Sequence, residues 1–292
     1  MSGNIKPFLS YDEQIQLLKN RNLIINDIEK AKTVLSTVNY YRLINAYSLG
    51  LLEKKESGEQ HYKDGVSFYQ IYDIYTFDNE LRHIISEPLE TFEVMFRTKL
   101  AHYIGEKYGA TGYLNASNFV DATYHNEFMQ TLEQEKENQK NSPIVKHHQN
   151  KYDGEMPIWV AVEVLSFGTI SKLYSNLSTV DRNYIAGSMP GKAPEIYLNS
   201  WIRSFVEVRN ICAHYGRLYN KKLVFPPKMF KGSLAFGNDN VFSVLYFLKR
   251  FEDPQKWSEI FKRLIAAVDN HPYVELDKIG FPSNWKNILK PV

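Results

Sequence analysis

The chain has 292 residues, 43% hydrophobic and 23% charged, enough to bury a substantial core and with no low-complexity run. A net charge of only +2 excludes a globally basic nucleic-acid coat, so any nucleic-acid surface must be local. The single cysteine, Cys212, excludes an intrachain disulfide and a cysteine-based zinc site, and no apolar run approaches the roughly 20 residues that span a bilayer.

Residues 1–10 lack the apolar core of a signal peptide, so a cytoplasmic location is expected. Ser10 and Asn26 each precede a glutamate by three positions, Glu13 and Glu29, which marks two helix starts. The first helix is expected over about 10–20. The second starts near Asp27 and runs through Val34, Leu35 and Val38 into the NYYRL segment at 39–43. Residues 54–65 are polar with two glycines and read as a loop. Phe68, Ile71, Tyr72, Tyr75, Leu81, Ile84 and Ile85 then recur at helical spacing. Pro88 is expected to kink or restart that helix before Leu89, Phe92, Phe96, Leu100 and Ile104 carry it to Gly109. This stretch contains Arg97 and His102 in an R-x4-H arrangement. Glu93 stands four residues before Arg97, the favourable orientation for a helical ion pair, and gives that arginine a local structural partner.

Residues 115–152 are polar and mixed in charge, with a helix expected over 126–138 and a loop after it. His125, His147 and His148 have no carboxylate cluster beside them and read as surface residues, not metal ligands. Lys140, Lys146 and Lys151 make with the latter two a modest basic patch. Residues 156–168 are apolar enough for a buried helix, with Pro157 in its first turn. Their one charge, Glu163, stands among Val160, Val162, Val164 and Leu165, and a buried carboxylate wants a cation. Residues 178–193 read as a helix and loop ending at Pro190-Gly191. After Asn220 come Phe225-Pro-Pro and a glycine-bearing loop to Gly237, then closing helices over 241–251 and 257–268. An aromatic clamp follows at 280–285. Strand patterns are scarce, so an all-α fold is expected. The 20 Tyr and 17 Phe suit core packing and stacking on unpaired bases alike, and the sequence leaves the two uses open.

The most informative stretch is RNICAHYGRLYN, residues 209–220. A helix over 198–215 places Leu198, Trp201, Ile202, Phe205, Val208 and Cys212 on one apolar stripe, and Arg203, Glu207, Asn210 and His214 on a polar one. Gly216 reads as its stop. Arg209 falls within the apolar stripe and needs a partner from another element, another subunit or a bound anion. Its simplest structural partner is Glu163. Such a pair leaves a catalytic role open, since carboxylates often position catalytic arginines.

Arg-Asn-x-x-Ala-His resembles the R-x4-H signature of HEPN-type ribonucleases. With its flanks the stretch is similar to the Abi-like (abortive infection) family of bacterial phage-defence proteins, the AbiD/AbiF type. The segments NYYRL, YTFDNELR, ETFEVMFRTKLAH and PIWVAVEVLSFG also look Abi-like. The resemblance implies a HEPN-like helical bundle in a single domain, with an N-terminal helical cap over about 1–50, a core over about 66–220 and C-terminal helices over about 238–292. It implies a metal-independent endoribonuclease with no cofactor, in which Arg209, Asn210 and His214 are catalytic. Tyr215, Arg217, Tyr219, Asn220 and Glu163 support that site or contact RNA. A homodimer is implied, since two such motifs commonly meet across a dimer in that family. Some HEPN enzymes instead use two motifs within one chain, which would recruit Arg97 and His102. The implied partners are RNA, as substrate or as a regulatory small non-coding RNA, and a protein antitoxin, with no membrane.

The chemistry fits the residue types. RNA is cut without metal when its own 2′-hydroxyl attacks the adjacent phosphate. A histidine titrating near neutrality suits the proton transfers, and a permanently charged, planar arginine suits the phosphorane oxygens. No Walker loop, G-x-G-x-x-G, G-x-S-x-G or H-E-x-x-H is present, and the acids are too dispersed for a carboxylate-bound metal nuclease. The alternative is a non-catalytic HEPN-like module that binds RNA or a protein.

Overall fold

The computed structural model describes residues 5, 7–54, 59–231 and 236–291. Parts of the 1–10, 54–65 and 220–237 readings therefore lie outside the described residues. Helix α1 (Tyr11–Asn20) opens with a full capping box between Ser10 and Glu13. Helix α2 (Ile28–Thr37) is capped by Asp27, one residue later than the Asn26 reading, and packs on α1. It stops at Thr37, and the NYYRL segment forms a separate π-helical turn, Tyr41–Asn45. The expected loop at 54–65 holds part of a small antiparallel hairpin, β1 (Leu52–Lys54) with β2 (Gln60–Tyr62), in which Leu52 faces Tyr62. Hairpin formation is favoured by Tyr62, which is buried and hydrogen-bonded to Ser48.

The spine is α3 (Phe68–Tyr108), 41 residues long and unbroken at Pro88. The proline removes one backbone hydrogen bond and costs roughly 3 kcal/mol. Ile84, Ile85, Leu89 and Phe92 around it are all buried, each contributing about 1.5–3 kcal/mol. Packing outweighs the local penalty. Two 3-10 turns, Gly112–Leu114 and Ala116–Asn118, lead to α4 (Ala122–Asn138), which starts four residues earlier than expected because Asp121 caps it. The expected loop after it is a short helix, α5 (Pro143–Tyr152), with Ser142 as its cap. Its His148 bonds the Ile144 carbonyl at 2.9 Å, and His125 on α4 is buried against the Tyr113 carbonyl at 2.9 Å. Both are packing residues.

Helices α6 (Ile158–Val164), α7 (Phe167–Ser175), α8 (Thr179–Ser188) and α9 (Glu195–Ala213) follow in short order, and all four touch α3. Asp181 clasps α8 to α3 by accepting from Tyr103, Lys107 and Tyr108. Burial alone would raise this carboxyl, but the donors win and hold it down at about 2. Helices α10 (Val241–Leu248) and α11 (Pro254–Asn270) also pack on α3, and α12 (Trp285–Leu289) packs on α10. Side chains from the N-terminal cap, the middle and the C-terminal helices join one hydrophobic cluster. At its centre Phe92 meets Phe205 and Phe251 edge-on, each at 4.8 Å, and Trp201 stacks on Phe247 at 4.2 Å. Much of the aromatic load is thus core. The fold is all-α but for the hairpin.

Candidate active site

The site is built on the C-terminal end of α9, and that end is unusual. Gly216 donates to the Ile211 carbonyl at 2.7 Å and Tyr215 to the Cys212 carbonyl at 3.1 Å, the two bonds of a Schellman cap. The left-handed position is occupied by Tyr215, with φ of 54°, and not by the glycine. Gly216 is needed for a different reason: a Cβ there would lie 3.0 Å from the Ile211 side chain and 3.2 Å from its carbonyl. A non-glycine residue in this conformation costs about 1–2 kcal/mol. Two arginines from elsewhere hold it. Arg42, in the π-helical turn, donates to the Tyr215 carbonyl at 2.6 Å, and Arg82 on α3 donates to the Gly216 carbonyl at 3.1 Å.

The next residues are fixed by Asp78, fully buried on α3. Its carboxylate accepts from the Leu218 N–H at 3.1 Å, the Tyr219 N–H at 2.6 Å, the Tyr47 hydroxyl at 2.6 Å and Arg82 at 2.6 Å. Arg217 donates to the Ala46 carbonyl at 2.6 Å, and the Tyr219 hydroxyl accepts from the Glu275 N–H at 3.2 Å. Arg217 and Tyr219 are therefore spent on positioning the turn. Tyr215 and Asn220 stay exposed. Sequence reading passed over Asp78 and Arg82. The signal was there: an Asp and an Arg four apart, beside Ile74, Phe77, Leu81 and Ile85 on an otherwise apolar helix face.

Arg209 finds its carboxylate on α3, not on α6. Its Nε donates to Glu93 Oε2 at 3.1 Å. The other oxygen, Oε1, accepts from Arg97 through Nε at 3.1 Å and through Nη2. Glu163 is exposed, which corrects its reading as the buried partner of Arg209. The reason lies in α6 itself, a helix of seven residues that buries Ile158, Ala161, Val162 and Val164 and turns Trp159 and Glu163, four apart, to solvent. Arg97 is nine-tenths buried and saturated: its Nη1 also donates to the Val162 carbonyl and, at 2.8 Å, to the Leu165 carbonyl, capping the end of α6. Arg209, by contrast, is 40% exposed in its side chain. One of its terminal nitrogens, Nη1, has only the Asn210 side-chain oxygen Oδ1 at 3.5 Å, the outer limit of a hydrogen bond. Two guanidinium groups against one carboxylate leave a net charge of +1 here, with the open end of Arg209 towards solvent.

Asn210 and His214 are exposed, and the imidazole makes no hydrogen bond to a described residue. The nearby Cys212 thiol is no nucleophile at neutral pH, since burial pushes it up to about 11. His102 is exposed 4.0 Å from Glu106, in a cleft of about 450 Å³ that Trp159 and Glu163 also line. Arg82 meets Gly216, Glu93 meets Arg209 and Phe92 meets Phe205, so α3 and α9 run antiparallel. From the shared level at Glu93, His102 lies nine residues one way and His214 five residues the other. At 1.5 Å per residue that is an axial separation of about 20 Å. Within one chain the two arginines meet and the two histidines diverge.

The segments gathered here are NYYRL, YTFDNELR, the helix around Arg97, the end of α6 and RNICAHYGRLYN. The sequence model described as Abi-like protein matches residues 33–220, a span that contains every one of them. The chain belongs to the Abi-like protein family. Comparison with curated proteins and with solved structures gives no match. Membership of the Abi-like family points to abortive infection, a form of defence against phage. In this Abi-like protein no helix among the described residues is long and apolar enough to cross a membrane.

Proposed function

We propose that this Abi-like protein is an endoribonuclease that cuts RNA without a metal ion and acts in phage defence. The observation that carries the reading is the state of Arg209, anchored through Nε by Glu93 yet 40% exposed in its side chain, on the same helix end as exposed Asn210 and His214. A phosphate seated on that end is met by a planar cation whose orientation is already fixed. His214 takes the 2′-hydroxyl proton or returns one to the leaving 5′-oxygen. Asn210 orients the phosphate or the imidazole.

One imidazole serves only one of the two proton transfers at a time, and His102 of the same chain is about 20 Å away along the helices. The second histidine comes from a second copy, so the active form is a homodimer. A nuclease of this kind is toxic to its host, so an antitoxin, a protein or a small non-coding RNA, restrains it.

The deciding experiment induces the wild type and His214→Ala in bacteria and sequences total RNA for new 5′ ends. Growth arrest with new ends from the wild type alone supports the nuclease. Equal behaviour of two soluble proteins supports the alternative, a non-catalytic module that binds RNA or a protein. That alternative has one observation in its favour: no hydrogen bond from a described residue orients the His214 ring.

A further inference from the structure

Between α7 and α9 lies a groove of about 880 Å³ whose lining includes Asn210. Its floor is apolar, with Val206 and Ile211 from α9 and Gly168 from α7. Three cations line it: Lys172, Arg203 and Lys221. Arg203 lies over the Phe225 ring at 4.4 Å, and neither lysine has a carboxylate partner among the described residues. The one acid of the groove, Glu207, is already occupied, since its two oxygens accept the Val224 and Phe225 N–H groups at 2.9 Å each. Tyr124 and Phe225 stand at the rim, 60% and 42% exposed.

We propose that this groove binds the unpaired RNA strand next to the scissile phosphate. The lysines meet backbone phosphates, and Tyr124 and Phe225 stack on bases. Charge complementarity selects the occupant: two lysines without a carboxylate partner among the described residues, beside apolar and aromatic side chains, fit a polyanion with flat faces. A groove of about 880 Å³ has room for a short run of unpaired nucleotides. The identification of the strand as substrate rests on the ribonuclease reading; the binding itself does not.

The test measures fluorescence anisotropy of a short labelled oligouridylate on the full-length chain carrying His214→Ala, across a salt series. Lys172→Gln/Lys221→Gln in that background is expected to weaken binding at least about tenfold. It should also flatten the plot of log affinity against log salt by about 1.4, or about 0.7 per lost phosphate contact on a single strand. Tyr124→Ala is expected to cost roughly fivefold or more through lost stacking. Lys256→Gln/Lys262→Gln on α11, outside the groove, should change neither quantity. Unchanged affinity and slope in the lysine pair, or no binding by the parent chain, overturns the proposal. Cleavage by the wild type is scored separately. Cleavage with unaltered binding in the groove variant removes the groove alone, whereas lost binding without any wild-type cleavage keeps the groove and removes the nuclease.

Discussion

Arg97 and Arg209 share one carboxylate and yet have opposite roles, and exposure decides between them. Arg97 is buried, with donors placed on Glu93 and on the end of α6. Replacing it by alanine leaves two carbonyls without donors and is expected to cost about 3 kcal/mol in urea unfolding. Arg209→Ala leaves Glu93 paired with Arg97 and is expected to cost under about 1 kcal/mol, while lowering RNA cleavage roughly 10²–10³-fold. His214→Ala removes no hydrogen bond to a described residue, so stability is expected to hold while cleavage falls roughly 10²–10⁴-fold. His102→Ala should leave cleavage at the wild-type level in a gel assay of RNA fragments. Its loss in that variant would return the first R-x4-H pair to the chemistry. The products should carry 2′,3′-cyclic phosphate ends and form in the presence of EDTA; a strict Mg²⁺ requirement would sink the mechanism.

Strain and its restraint belong to the helices. The end of α9 keeps a tyrosine where glycine is easier, and Arg42, Arg82 and Asp78 hold it from two other elements. Tyr215→Gly is expected to raise stability by about 1 kcal/mol while weakening RNA binding, the trade expected of a functional residue in a strained position. Gly216→Ala should lower stability by about 1–2 kcal/mol, because its Cβ would press on Ile211. At the α3–α8 clasp, Asp181 has a folded pKa of about 2 against 3.8 for the free group. A depressed carboxyl contributes stability above its unfolded pKa and loses it as pH falls through the folded one. Here the loss falls between about pH 4 and pH 2 and amounts to about 2 kcal/mol. Asp181→Asn should remove that part of the acid slope in denaturant titrations at stepped pH.

At the scale of the whole molecule the geometry bears on stoichiometry. The histidines of one chain diverge along antiparallel helices, so a two-histidine site needs two chains. Light scattering of the active protein is expected to give twice the 34.1 kDa of one chain, and activity per chain should fall on dilution. A monomer that cuts RNA at full rate would exclude this arrangement. The family segments are scattered from NYYRL to RNICAHYGRLYN, yet each supplies a side chain or a carbonyl to one network around α9.

The sequence by itself determined what is short-range. Helix starts followed from Ser10 and Glu13, the long apolar periodicity of α3 was legible through Pro88, and the informative stretch at 209–220 stood out because Arg209 lacked a partner within its own helix. It also determined the family, because the segments that carry the resemblance are continuous in the chain. Only the tertiary structure decided which carboxylate Arg209 meets. Glu93 and Glu163 were both available, and Glu93 is 116 positions away. The choice depends on which way α6 turns, and buried residues on the far side of that helix set its rotation. The left-handed Tyr215 was hidden for the same reason. A tyrosine before a glycine reads as an ordinary helix stop, and the restraints that shift the strain onto it come from Arg42 and Arg82, elements that meet α9 only once the chain has packed.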